Sequence, residues 1–176
     1  MSLNLSQVYS NALCNLQLIV DKLDMEVAVG PFNNDDWLFL ASGYSLLNWE
    51  NIITLYANEE NAIDFCVKFR DNTNSALLGA SICVCDLKEK TFNVHCIERF
   101  SRSDVNCKLK GRMVFLVLSL VFLMSFSIKI ERIRLIDVDN NAISLINYYK
   151  TFGFDSDPKN RQNMIVDLSI LESKLK

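Results

Sequence analysis

The chain predicts a mixed α/β fold: an antiparallel meander leading into a βαβ crossover, with helices on both faces of one sheet. Residues 64–100 hold three runs of strand-like character broken by two turn signals. Beyond them, a long uncharged block and a second helix-like segment alternate with strand-like runs, the order of a crossover. With 176 residues, half of them hydrophobic, the chain is sized for one domain with a full core.

Taken in order, Leu5, Val8, Ala12, Leu16, Ile19 and Leu23 recur at spacings of three or four, giving an amphipathic helix. It ends before a turn at Gly30-Pro31-Phe32-Asn33-Asn34. A short strand is expected at 37–40 and a helix at 45–56. Phe65, Val67 and Phe69 alternate with Cys66, Lys68 and Arg70, which marks a strand with one buried face. Asp71-Asn72-Thr73-Asn74-Ser75 turns the chain into a strand at 77–87, and Lys88-Glu89-Lys90 turns it into a third at 92–100. Met113–Ile128 carries no charge and reads as a helix. Strand 131–138, helix 140–152 and a short strand at 164–168 complete the order, with Gly153 placed as a helix C-terminal glycine.

Met113–Ile128 falls short of the ~20 apolar residues that cross a bilayer, and it holds three serines; it is expected to be a buried core helix. The six cysteines stand at 14, 66, 83, 85, 96 and 107, and no basic leader with an apolar block opens the chain. Cys83 and Cys85 share one face of a strand, and the lone histidine, His95, adjoins Cys96, so buried reduced thiols are expected rather than a metal site. The expected location is cytoplasmic. Residues 1–63 carry eight acids against one base, whereas the remainder carries 17 bases and 13 acids. The acidic part is either a solvated surface or a feature that attracts a cationic partner. No nucleic-acid groove is expected, because the basic cluster at 99–112 is short and the net charge is −3.

That basic cluster contains Lys108-Leu109-Lys110-Gly111-Arg112-Met113 at a strand-to-helix junction. A glycine lets the backbone approach closely, and the free N–H groups of a helix's first turn suit a pyrophosphate. Tyr149-Lys150-Thr151-Phe152-Gly153-Phe154 follows some forty residues later. The two stretches together point to an acyl-coenzyme A site.

On these residues the chain, over about 60–170, resembles the GCN5-related N-acetyltransferase (GNAT) superfamily, whose members carry an Arg/Gln-x-x-Gly-x-Gly/Ala loop between a strand and a helix. Lys108 stands in for the Arg/Gln, and Met113 stands where the family has a small residue. The Met113 side chain either turns into the core and frees its N–H or narrows the cleft. A late helix with Asn, then Tyr, ending in Gly-Phe is matched by Asn140-Asn141-Ala142, Tyr149 and Gly153-Phe154. The asparagines lie one or two residues earlier than the family's coenzyme-contacting Asn. The resemblance implies one domain over 1–176: an acidic helical part at 1–63 and an acyl-CoA-binding core at 64–170.

It further implies acetyl-CoA as co-substrate, no metal, and a primary-amine acceptor that attacks the thioester directly. The coenzyme's pantetheine arm would add along Ile97, Arg99 and Phe100, and the amides of Lys110, Gly111, Arg112 and Met113 would hold the pyrophosphate. Arg102 or Lys108 would reach the ribose phosphate, and Asn141 is carried over as a coenzyme contact. Tyr149 is the expected acid for the leaving thiolate, with Tyr148 a competing phenol and a core aromatic the plainer reading. Glu98 is the expected base. By simple alternation it shares a face with Phe92, Val94 and Cys96, where an apolar setting raises a carboxyl pKa; a strand bulge would instead turn it outward. The alternative is a non-catalytic module of the same fold that binds coenzyme or a partner protein.

Overall fold

The computed structural model describes residues 4–56, 62–101, 103–104 and 106–175. Seven strands form one mixed sheet in the order β1-β2-β3-β4-β5-β7-β6. Its centre is the meander β2 (Ala62–Asp71), β3 (Leu77–Asp86) and β4 (Thr91–Arg99), close to the bounds predicted. α4 (Met113–Ile128) crosses over to β5 (Arg132–Leu135), which pairs parallel with β4. Ten of its residues are buried, which fits a helix without a polar face packed between the sheet and α1 (Leu5–Lys22). No helix among the described residues is long and apolar enough to cross a membrane.

The first 63 residues depart most from expectation. They are not wholly helical: β1 (Val27–Pro31) pairs antiparallel with β2 and forms an edge of the sheet. The segment read as a strand at 37–40 belongs instead to α2 (Asn34–Phe39) and the π-helical turn Leu40–Tyr44. A capping box starts α2: the Asn33 side chain accepts from the Asp36 N–H at 3.1 Å, and the Asp36 carboxylate accepts from the Asn33 N–H at 2.7 Å. α3 is shorter than predicted, Trp49–Tyr56. Asp36 is wholly buried and takes Lys68 at 2.6 Å and Arg70 at 2.5 Å from the facing strand β2. Burial works to raise its pKa, but the hydrogen bonds from Lys68, the Asn33 amide and Arg70 outweigh it and hold the carboxyl below its usual value.

After β5, α5 (Ile143–Thr151) ends at Gly153 with φ +89°, the left-handed close expected there. The short β6 (Asp155–Asp157) and the final α6 (Leu168–Leu175) were not predicted, and β7 (Asn160–Asp167) is longer than the strand expected at 164–168. The sheet separates two cores. The larger lies with α1, α4, α5 and α6; the smaller, around Leu40, Trp49, Cys66, Ala80, Ile82 and Cys96, lies with α2 and α3. The six cysteines are free thiols, Cys14 exposed and the others buried.

Candidate active site

The site is built on the second half of β4. Its pairing with β5 runs only from Thr91 to Val94, followed by one further bond from the Ile136 N–H to the Val94 carbonyl at 3.0 Å. From there β5 gives way to the turn before α5, and β4 runs on to Arg99 beyond the end of its ladder with β5. On the other side, Val94 faces Cys83 and Cys96 faces Ile82 on β3, so His95 is the extra residue of a bulge.

The bulge reverses the alternation expected for Glu98. Phe92 and Val94 point into the larger core, whereas Cys96 belongs to the smaller one and Ile97 packs against the larger. Glu98 therefore lies on the face opposite Phe92 and Val94, and it is not turned out to solvent: it is 4% exposed. Its Oε1 accepts from the Leu46 N–H at 2.7 Å, and its Oε2 accepts from Ser45 Oγ at 2.6 Å and Trp49 Nε1 at 2.8 Å. Ser45 and Leu46 come from the segment joining α2 to α3, and Trp49 opens α3. Phe100, just past β4, donates its N–H to the Leu78 carbonyl at 2.9 Å and meets the Phe39 ring edge-on.

The basic loop is held from within by buried Cys107, Leu109 and Met113, which leave Lys110, Gly111 and Arg112 exposed at its tip. Gly111 sits at φ +71°, and a Cβ there would meet nothing within 4 Å. Arg112 precedes α4 and supplies no side-chain cap, while the Leu116 N–H makes the first bond back to the Arg112 carbonyl at 3.0 Å. The first-turn N–H groups of Met113, Val114 and Phe115 therefore have no acceptor within the helix. Met113 itself is 6% exposed, its sulfur lying against Gly79 of β3. Of the two alternatives for this residue, the side chain takes the core.

Lys108 does not stand free for an anion: Nζ is 2.9 Å from Glu26 and 3.2 Å from Asp71. The hydrogen bond with Glu26 is the main cause holding its pKa above the usual value. The two charged regions of the sequence thus meet here, lining a 370 Å³ cavity with Asp24, Glu26, Lys108, Lys110 and Arg112. Arg102 lies outside the described residues.

Across the gap, Tyr148 of α5 donates its hydroxyl to the Gly111 carbonyl at 3.2 Å. Tyr149 is buried beside Phe154, and burial pushes its phenol up to about 12. Tyr148 is thus brought to the loop. Asn141 is exposed in the turn before α5, its N–H bonded to the Asp139 carboxylate.

Burial pulls the His95 imidazole down to about 4, the nearby Asp137 carboxylate working the other way. Because the folded value lies below the unfolded one near 6.5, the unfolded chain binds this proton first, and stability falls as pH drops from about 6.5 to about 4. Acid titration of the melting temperature should show this slope in the native protein. His95→Asn should flatten it.

Sequence reasoning missed a second cavity, of about 600 Å³, between α2 and α3. Trp37, Leu38, Leu40, Leu47, Trp49 and Glu50 are among its lining residues. Its signal was there to read: apolar residues at 37–40, 46, 47 and 49 crowd a segment whose turn chemistry keeps several of them exposed.

No protein-family model and no curated protein matches the chain. Solved structures do. Mutant forms of the spermidine/spermine N-acetyltransferase SpeG from Vibrio cholerae align over 86% of this chain and 99% of theirs, with a TM-score of 0.60 at 11% identity. A domain from Methanocaldococcus jannaschii aligns over 80% of this chain and 97% of its own, with a TM-score of 0.54 at 18% identity. The match reaches well beyond 60–170 and takes in part of the first third. A mixed seven-stranded sheet of this order, with α4 crossing from β4 to a parallel β5 and starting without a side-chain cap, gives the chain the fold of the GCN5-related N-acetyltransferase superfamily.

Proposed function

We propose that the protein is an acetyl-CoA-dependent N-acetyltransferase acting on a primary amine. The observation that carries this reading is the end of the β4–β5 ladder at Val94, from which β4 runs on to Arg99 beside the exposed Gly111 loop and the open first turn of α4. An edge of this kind accepts an amide-bearing chain as an added strand, and backbone groups of Ile97 and Arg99 would take the pantetheine arm, whereas the Phe100 N–H, carried over with them, is already given to the Leu78 carbonyl of β3. The pyrophosphate falls to the N–H groups at the start of α4, with Lys110 and Arg112 adding charge. Lys108, bound by Glu26 and Asp71, contributes less than its sequence position suggests.

In the reaction the neutral amine nitrogen attacks the thioester carbonyl carbon. The C–N bond forms as the C–S bond breaks, the amine proton leaves through water, and the thiolate takes a proton from an acid. Tyr149 fits the acid role because a phenol pushed to about 12 is fully protonated at neutral pH. Glu98, expected as base, acts in this proposal as a positioning residue, since both its oxygens already accept from the α2–α3 segment. The fold likeness to spermidine N-acetyltransferases supports the reaction class.

Thermal shift with acetyl-CoA and with free coenzyme A tests the proposal. At a hundredfold excess over Kd, linkage adds about 2.7 kcal/mol, a rise of roughly 5–10 °C for a chain of this size. Gly111→Trp should abolish that rise, because its side chain enters open space and its main intrinsic cost is the left-handed backbone, about 1–2 kcal/mol. No rise at millimolar ligand would hand the lead to the non-catalytic partner-binding module.

A further inference from the structure

We infer that the acceptor is a singly charged primary amine carrying an apolar, aryl or alkyl body, and that it is held in the cavity between α2 and α3. The inference rests on the acetyltransferase reading and names the substrate class of that site. The cavity, about 600 Å³, is in the range that holds a small molecule. Its walls are the indoles of Trp37 and Trp49 with Leu38, Leu40 and Leu47, and Glu50 is the one charged side chain among its described lining residues. The floor is fixed: Phe32 packs against both indoles, at 4.8 and 5.8 Å between ring centroids, and Trp49 is tied to Glu98 of β4. That tie joins the cavity to the strand that would carry the thioester.

Charge decides against a polycation. The acidity of the first 63 residues is partly spent inside the molecule, with Asp36 neutralised by Lys68 and Arg70 and Glu26 paired with Lys108. Among the described residues one carboxylate, Glu50, lines the cavity, enough for one ammonium beside aromatic faces that attract a cation. A second or third ammonium in the same apolar space would lose hydration without a partner.

The sequence contains two tryptophans, and both line this cavity, so intrinsic fluorescence reports its occupancy without any turnover. The protein would be titrated with 2-phenylethylamine, hexylamine, spermidine and the uncharged 2-phenylethanol, with and without acetyl-CoA, while release of free thiol is followed separately. Saturable fluorescence changes with the two monoamines, at least tenfold tighter than spermidine, are expected. Glu50→Gln should weaken 2-phenylethylamine severalfold, towards 2-phenylethanol, and leave the alcohol unchanged. Spermidine binding as tightly as the monoamines, or no saturable change with either monoamine, overturns the inference. If acetyl-CoA raises the melting temperature and spermidine alone releases thiol, the inference fails and the acetyltransferase reading survives. If the monoamines bind while acetyl-CoA neither binds nor loses its acetyl group, the cavity's preference stands and the acetyltransferase reading fails.

Discussion

Glu98→Gln is expected to lower the melting temperature by about 6–12 °C and to abolish monoamine binding, while leaving the acetyl-CoA thermal shift largely intact. Among the described residues the carboxylate accepts three hydrogen bonds, from Leu46 N–H, Ser45 Oγ and Trp49 Nε1, at 4% exposure. An amide cannot replace it. Whichever way the Gln side chain turns, its NH₂ faces either the Leu46 N–H or the Trp49 N–H, two donors with nothing between them. Hydrogen bonds to a buried charge contribute about 1.5–3 kcal/mol each, so a net loss near 3 kcal/mol is expected. For 176 residues that corresponds to the temperature shift given. The same variant separates a clamp from a general base. A base would lose rate with the melting temperature and amine binding unchanged; a clamp loses both together. Ser45→Ala should reproduce a fraction of the clamp's loss, about 1 kcal/mol, and a base mechanism gives it no comparable effect.

The position of Glu98 also marks where sequence reading stops. The meander was legible because strand period and turn chemistry are local: Phe65, Val67 and Phe69 alternate, and 71–75 and 88–90 are turns whatever lies around them. Met113–Ile128 was legible for the same reason. The face of Glu98 was not, because the bulge at His95 depends on how β4 registers against β3, and one inserted residue exchanges the two faces. β1 and β6, five and three residues long, owe their existence to partners distant in sequence or to a hairpin too short to show a period. In α2, the Gly30-Pro31 signal masked a capping box spelled by Asn33 and Asp36. Among the site residues, Gly111 meets Tyr148, the neighbour of the expected acid Tyr149, while Lys108 turned out to be engaged by Glu26, a pairing between charge clusters that the sequence presents as separate.

Gly79→Ala is the second large effect, and it acts on coenzyme binding instead of the amine cavity. Gly79 of β3 lies opposite Arg99 at the end of β4, where the Met113 side chain seats the first turn of α4. A Cβ at this position would lie 2.7 Å from the Met113 sulfur, 2.9 Å from its methyl carbon and 2.9 Å from the Glu98 carbonyl oxygen. The thioether is a flexible tip and can yield; the carbonyl belongs to β4 and cannot without moving the strand. Overpacking of this kind costs about 1–3 kcal/mol. Because it presses on β4 from its β3 side and on the start of α4, the acetyl-CoA thermal shift should weaken by at least tenfold in apparent affinity. Met113→Ala alone removes a buried side chain and should cost about 2–4 kcal/mol while leaving the backbone N–H groups in place. In the double variant the sulfur clash is gone and the carbonyl clash remains. Stability should therefore be better than the sum of the two single losses, by about 1 kcal/mol, as expected for residues in contact. Strict additivity in that cycle, with unchanged coenzyme affinity in Gly79→Ala, would mean that Met113 does not fix the start of α4 against the sheet.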